Sequence, residues 1–226
     1  MIIQAIETHY NGYRFRSRLE ARWAVFFDTL GIPYFYEHQG YTLFGGERYL
    51  PDFWIPHLNL FVEVKGPSPS IDEQGKAIGL CQGTGSTVMV VTNDCWYTAP
   101  MYLYHFNGDT QTGKGDMLYS HNCRWSICAA CISFAISNRI KGKPYVYCFN
   151  GKCSHALVKA NLEDQFQSFH KKEFPEMEDG WISFTGEVSK YLSAMMALKT
   201  AYAAARSARF EHGETPKVPR GKPKEK

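Results

Sequence analysis

The sequence predicts an α/β fold in which a mixed β-sheet carries helices on its faces. Two observations predict it. Tyr49–Trp54 and Leu60–Lys65 have the alternation and spacing of a strand hairpin, and a strand–helix–strand unit follows and ends at Thr87–Thr92. Hydrophobic residues make up 44% of the 226 residues, which is enough for a packed core and a small second module.

The first predicted helix begins at Ser17 and ends at Gly31, with apolar residues at helical spacing between them. Short strands are expected at Ile32–His38 and Tyr41–Phe44, ahead of the hairpin. Glu20 follows Ser17 by three residues, the spacing of a capping box in which the glutamate bonds back to the capping amide. A first-turn carboxylate can also face the sheet, so capping and catalysis both stay open for Glu20.

The hairpin brings charged residues onto one face. If His57 and Leu58 form the loop, Asp52 lies opposite Glu63, and a two-residue slip would place it opposite Lys65 instead. Opposed like charges destabilise a sheet, whereas a divalent cation between them makes the same arrangement favourable. Hard oxygen ligands are what Mg²⁺ requires, so the hairpin predicts a magnesium site.

A second capping box, at Ser70 and Glu73, opens a helix that extends to about Gln82. Thr87–Thr92 is then a continuous apolar strand of the buried kind. Lys76 and Gln82 are candidates to point from this helix toward the acidic face and contact DNA, with ordinary solvated positions as the alternative.

The second half of the chain contains a cysteine cluster. Residues 107–120 are rich in Gly, Asp and Thr and predict a linker or long loop. Five of the seven cysteines follow, and two pairs have the spacing of a zinc ribbon: Cys128, Cys131, Cys148 and Cys153. His155, Cys123 and His121 are alternatives for one ligand, and buried free cysteines are the alternative to zinc.

The C-terminal part is predicted to be helical and then disordered. Helices are expected at Ala156–His170 and Glu187–Glu211, and residues 216–226 form a basic tail that could add nonspecific DNA affinity. Three basic residues on the last helix form either a phosphate-contacting edge or a solvated face: Lys199, Arg206 and Arg209.

The order of a helical glutamate, Pro-Asp and Glu-x-Lys resembles the PD-(D/E)XK nuclease superfamily. Residues 9–95 are similar to the phage endonuclease I family of Holliday-junction resolvases, and to small phage and mobile-element nucleases. The matching segments are Phe15-Arg16-Ser17, Leu19-Glu20, Gly31-Ile32, Tyr36-Glu37, Pro51-Asp52-Phe53 and Phe61–Gly66. Beyond about residue 110 the chain departs from the resolvase pattern, which leaves junction specificity open.

The resemblance implies a restriction-endonuclease-like core and a site for Mg²⁺ or Mn²⁺. Glu20, Asp52 and Glu63 would bind the metal together with Val64, and Lys65 would position or activate the attacking water. It also implies a DNA substrate, branched rather than sequence-defined, and a homodimer with paired active sites. The alternatives are a sequence-specific restriction-like or homing endonuclease, and a non-catalytic zinc-containing nucleic-acid-binding or machine subunit.

These predictions divide the chain into a nuclease core (1–110), a zinc module (111–160), C-terminal helices (161–212) and a tail (213–226). The net charge of +3 requires any basic surface to be local. The N-terminus lacks signal-peptide features and no apolar stretch reaches 18 residues, so we expect no membrane span. The expected location is the cytoplasm, that of a bacterial host if the chain is phage-encoded.

Overall fold

The computed structural model describes residues 5–93, 95, 99–127, 134–140, 143–148, 188–210 and 216. The chain divides into two compact units, residues 1–121 with 199–226, and residues 122–198. No helix in the described ranges is long and apolar enough to cross a membrane.

The first unit contains most of the regular structure. Its elements are β1 (Thr8–Tyr10), β2 (Tyr13–Phe15), α1 (Arg18–Thr29), β3 (Phe35–Tyr36), β4 (Tyr41–Thr42), β5 (Arg48–Tyr49), β6 (Phe53–Ile55), β7 (Leu60–Lys65), α2 (Ile71–Thr84), β8 (Thr87–Thr92), β9 (Met101–Asp109) and the start of β10 (Lys114–Ile127). The hydrogen-bonded strand order is β10-β9-β8-β7-β6-β3, and β1–β2 and β4–β5 form separate pairs.

The sheet is mixed, which confirms the predicted α/β class. Strands β7 and β8 are parallel and joined by α2, whereas β6–β7, β3–β6 and β8–β9 are antiparallel. The observed α1, α2 and β8 match their predicted positions within a few residues. The predicted strand Tyr49–Trp54 is wrong as a single element, because Tyr49 pairs with β4 while Phe53 begins β6.

Residues 107–120 are not a linker. They form the end of β9, the start of β10 and the turn between them. The turn closes with the Gly113 amide donating to the Asp109 carbonyl at 2.8 Å. A Cβ built on Gly108 would lie 2.6 Å from the Cα of Gly115, so glycine permits the two strands to approach.

Aromatic and aliphatic side chains cover both faces of the sheet. On one face α1 packs Phe27 against Phe53, with a ring-centroid distance of 5.4 Å. On the other, α2 buries Leu80 in a cluster with Phe61 and Tyr104. Strand β7 is consequently buried on both faces until Lys65, so its charged residues do not lie on an ordinary solvated strand face.

The second unit contains the end of β10, then β11 (Phe134–Ile140), β12 (Lys143–Cys148) and the first part of α3 (Val188–Ser207). The three strands form an antiparallel meander. Cys148 ends β12, whereas Cys128, Cys131, Cys153, His155, the predicted helix 156–170 and the tail beyond 216 lie outside the described residues. The zinc module therefore stays a prediction.

Candidate active site

The turn between β6 and β7 sets the position of the acidic residues. Phe53 pairs with Val62 and Ile55 with Leu60, and this register places Asp52, directly before β6, across from Glu63. The predicted register is thus confirmed. The connection itself is a 3-10 turn over Pro56–Leu58 followed by Asn59 in the left-handed region at φ 47°.

The carboxylates of Asp52 and Glu63 each accept a backbone amide from across the hairpin. Asp52 Oδ2 accepts the Val64 amide at 2.7 Å, and Glu63 Oε1 accepts the Asp52 amide at 3.2 Å. The two residues are only 7% and 1% exposed. Two carboxylates are therefore held close together in a site with little water to screen their charges.

Burial is the main cause of a shifted pKa at both carboxyls. Burial and then the neighbouring Glu63 charge raise the pKa of Asp52 well above its usual range. Burial also raises the pKa of Glu63, although the Lys65 charge and a hydrogen bond from Tyr49 act in the opposite direction. A positive charge between the pair would favour the ionised forms of both.

Lys65 supplies part of the positive charge that favours the ionised carboxylates. Its Nζ lies 3.6 Å from Glu63 Oε2 and 3.7 Å from Glu73 Oε1, and its side chain is 25% exposed. Burial lowers the pKa of Lys65, but the carboxylates of Glu63, Asp52 and Glu73 outweigh it and leave the pKa raised. Lys65 is therefore a cation at neutral pH.

Glu20 is held by hydrogen bonds at the start of α1. Its carboxylate accepts the Arg16 amide at 3.0 Å, the Ser17 hydroxyl at 2.7 Å and the Tyr36 hydroxyl at 2.5 Å. Ser17 Oγ in turn accepts the Glu20 amide. The capping interpretation is correct for Ser17, but Glu20 bonds to the amide of Arg16 rather than to that of the capping residue.

Glu20 does not join Asp52 and Glu63 in one ligand set. Within the part of the chain that the structure describes, no three His, Cys, Asp or Glu side chains gather as a group that could hold a metal. The charge of Glu20 still acts on Asp52, because it contributes to the raised pKa of that residue. Of the four residues predicted to be catalytic, the structure thus brings three together: Asp52, Glu63 and Lys65.

The donor set fits Mg²⁺. This ion is bound in many proteins through only one or two carboxylates, with water and substrate phosphate completing its shell. Asp52 and Glu63 would hold it. The Val64 amide orients Asp52, which is a contact different from the metal ligation that the resemblance implies for Val64.

The predicted DNA-contacting residues are dispersed. Lys76 Nζ pairs with Glu47 at 2.9 Å, and Gln82 is nine residues after Glu73, about 13 Å along the helix axis. Lys199 is exposed and Arg206 half-buried on α3, but Arg209 lies beyond the helix end at Ser207. The predicted shared helix face is therefore wrong for Arg209.

Two site residues were missed by the sequence analysis. Tyr49 hydrogen-bonds Glu63, and Glu73, predicted only as a cap, contacts Lys65. Tyr49 directly precedes Leu50-Pro51-Asp52, but nothing in its spacing distinguishes it from the other aromatic residues nearby. The capping pattern was the one signal for Glu73.

No protein-family model and no curated protein sequence matches this chain. The strongest geometric feature is the buried pair of carboxylates beside a lysine, at the carboxyl end of a central strand.

Proposed function

We propose that this chain is a Mg²⁺-dependent DNA endonuclease that hydrolyses phosphodiester bonds. The observation that carries the proposal is the buried Asp52–Glu63 pair with the Lys65 ammonium 3.6 Å from Glu63. A fold that buries two facing carboxylates incurs a desolvation and repulsion cost. A site for a divalent cation accounts for that cost.

In this proposal Asp52 and Glu63 hold the cation, and the Val64 and Asp52 amides keep the two carboxylates in place. When bound, Mg²⁺ would lower the pKa of the attacking water and neutralise the negative charge that develops on the scissile phosphate. Lys65 adds a fixed positive charge beside the pair. It orients the nucleophilic water or stabilises the phosphoryl oxygens, the groups on which negative charge builds up.

The proposed substrate is branched DNA, cut by a homodimer. The support is the resemblance of residues 15–66 to junction resolvases and the dispersed placement of the basic residues. Such residues contact phosphates, which position a protein on DNA without reading its sequence. A two-fold dimer would supply the paired active sites that cutting two strands requires.

Cleavage assays with plasmid, four-way junction and single-stranded DNA, in Mg²⁺ or EDTA at one fixed salt concentration, test the proposal. We expect Mg²⁺-dependent cleavage, with the junction bound more tightly than a linear duplex of the same arm sequences. Cutting at one defined sequence in linear DNA would favour the restriction-like or homing alternative. DNA binding with no Mg²⁺-dependent cleavage would favour the non-catalytic subunit.

A structural Zn²⁺ bound by Cys128, Cys131, Cys148 and Cys153 belongs to the same proposal. Their spacing supports it, since tetrahedral Zn²⁺ accepts paired thiolates from two turns. Protein purified without chelator should contain one zinc per chain, and Cys131→Ser should lower that content. Metal analysis that finds no zinc would refute this part without affecting the Mg²⁺ site.

A further inference from the structure

Lys65 is held between a strand residue and a helix cap. Its Nζ is almost equally distant from Glu63 Oε2 and Glu73 Oε1, at 3.6 and 3.7 Å. Glu63 precedes it by two residues on β7, whereas Glu73 lies in the first turn of α2. The ammonium group therefore connects the acidic pair to the start of the following helix.

Glu73 has a reason to be fixed that does not depend on Lys65. Its Oε2 accepts the Ser70 amide at 2.8 Å, and Ser70 Oγ accepts the Glu73 amide at 3.3 Å. This reciprocal capping box satisfies two amides at the beginning of the helix. It occupies one carboxylate oxygen and leaves Oε1 directed at Lys65.

We infer that Glu73 is a positioning residue, which holds the Lys65 ammonium beside the Asp52–Glu63 pair by means of the α2 capping box. A lysine side chain is a flexible four-carbon stem, and its charge is most effective in catalysis when its place is set before the reaction. The helix cap supplies that fixed place. The inference rests on the proposed nuclease function.

Glu73→Gln separates the two roles of this residue. The glutamine oxygen can still accept the Ser70 amide, so the cap is retained, while the negative charge facing Lys65 is lost. We expect kcat for DNA cleavage to fall about 10-fold, with little change in KM or in the thermal unfolding midpoint. A purely structural role for Glu73 would instead leave kcat unchanged.

Asp72→Asn is the matched control. Asp72 is an exposed carboxylate in the same first turn of α2, so its loss changes the charge at the helix end in the same way. It has no ion pair with Lys65 among the described residues. We expect its kcat to equal that of the wild type, and an equal fall in both variants would overturn the inference.

A second measurement needs neither metal nor DNA. In EDTA, thermal unfolding midpoints of Lys65→Met, Glu73→Gln and the double variant form a double-mutant cycle. We expect the midpoint shift of the double variant to differ clearly from the sum of the single shifts. For Lys65→Met with Asp72→Asn we expect additive shifts.

The two measurements distinguish failure of the inference from failure of the proposed function. Additive shifts for Lys65 and Glu73 in a protein that cleaves DNA would overturn only the positioning role. Coupled shifts in a protein without any Mg²⁺-dependent cleavage would refute the nuclease proposal, and the positioning role with it.

Discussion

The two central helices of this protein begin with the same pattern, Ser-x-x-Glu, yet the two glutamates have different surroundings. In α2, Glu73 is partly exposed and closes a full capping box with Ser70. In α1, Glu20 is buried and accepts hydrogen bonds from the Arg16 amide and the hydroxyls of Ser17 and Tyr36.

Burial explains the difference. A buried carboxylate needs donors that replace the water it has lost, so the Tyr36 hydroxyl adds to the local cap at Glu20. The more exposed Glu73 can leave one oxygen directed at a cation. The resemblance assigns catalysis to the helix glutamate Glu20, whereas the helix glutamate in contact with Lys65 is Glu73.

The largest effect on cleavage should come from replacing Asp52 or Glu63, and the effects of replacing Glu20 or Glu73 can be compared with it. Glu63→Gln and Asp52→Asn should each reduce Mg²⁺-dependent cleavage roughly 1,000-fold, because each removes a ligand of the cation that neutralises transition-state charge. Initial rates on plasmid DNA measure this, with Glu7→Gln as a surface control. A Glu63→Gln variant that cleaves at the normal rate would show that the proposed site is wrong.

The next largest effect should be on the free energy of unfolding, which should fall more when Glu20 is replaced than when Glu73 is replaced. Glu20→Ala removes the acceptor for the Tyr36 hydroxyl and the Arg16 amide, at a cost of about 2–3 kcal/mol in unfolding free energy. Glu73→Ala should cost only about 1 kcal/mol, the usual loss for a helix cap. Urea unfolding measures both, and equal costs would contradict the assigned difference in burial.

Glu20→Gln tests whether Glu20 also has a metal role. The glutamine oxygen can accept the bonds now made to Oε2, and its NH₂ group can donate to the Ser17 hydroxyl, so most of the stability should remain. Cleavage lost with stability retained would assign Glu20 to the metal site. Retained cleavage would leave it with the cap alone.

The pH dependence of stability in EDTA should show a smaller effect. Because the pKa of Asp52 is raised in the folded state, the folded protein holds a proton that the unfolded chain releases. The stability that Asp52 contributes through this proton is fully present below its unfolded-state pKa of about 4. It is lost as the pH rises through the folded-state pKa. The stability of the wild type relative to Asp52→Asn should thus fall as the pH rises. A difference independent of pH would contradict the shifted pKa.

The smallest effect should be the difference in stability loss between variants of the two N-cap serines. Ser17→Ala and Ser70→Ala each remove an N-cap acceptor worth about 1 kcal/mol. Ser17 also donates to buried Glu20, so its replacement should cost about 0.5 kcal/mol more. Thermal unfolding of the two variants under identical conditions measures the difference, and a larger loss at Ser70 would reverse it.

The register of the β6–β7 hairpin was predictable because residue alternation and a short connection leave few pairings that keep the charged residues together. The break before β6 was not predicted, although the cause is visible in the sequence. Pro51 has no amide to donate to a strand ladder, so the chain changes from the small sheet to the large one at that point.

Other features depend on tertiary contacts that a sequence pattern does not contain. Gly108 and Gly115 indicated a loop, but they allow close approach of two strands. The capping box at Ser70 was predicted from local spacing, whereas its contact with Lys65 depends on how α2 packs after Gly66–Pro69. The Tyr36 hydroxyl reaches Glu20 from a strand 16 residues away.

Strand β7 has a hydrogen-bonded partner on each side, β6 and β8, and is buried along most of its length. Its amide protons can meet solvent only when neighbouring strands separate, so their hydrogen–deuterium exchange should be among the slowest in the first unit. Glu63 and Lys65, which lie on β7, should therefore have a backbone among the longest-lived of that unit. On heating, cleavage and the sheet should be lost in the same transition rather than in succession.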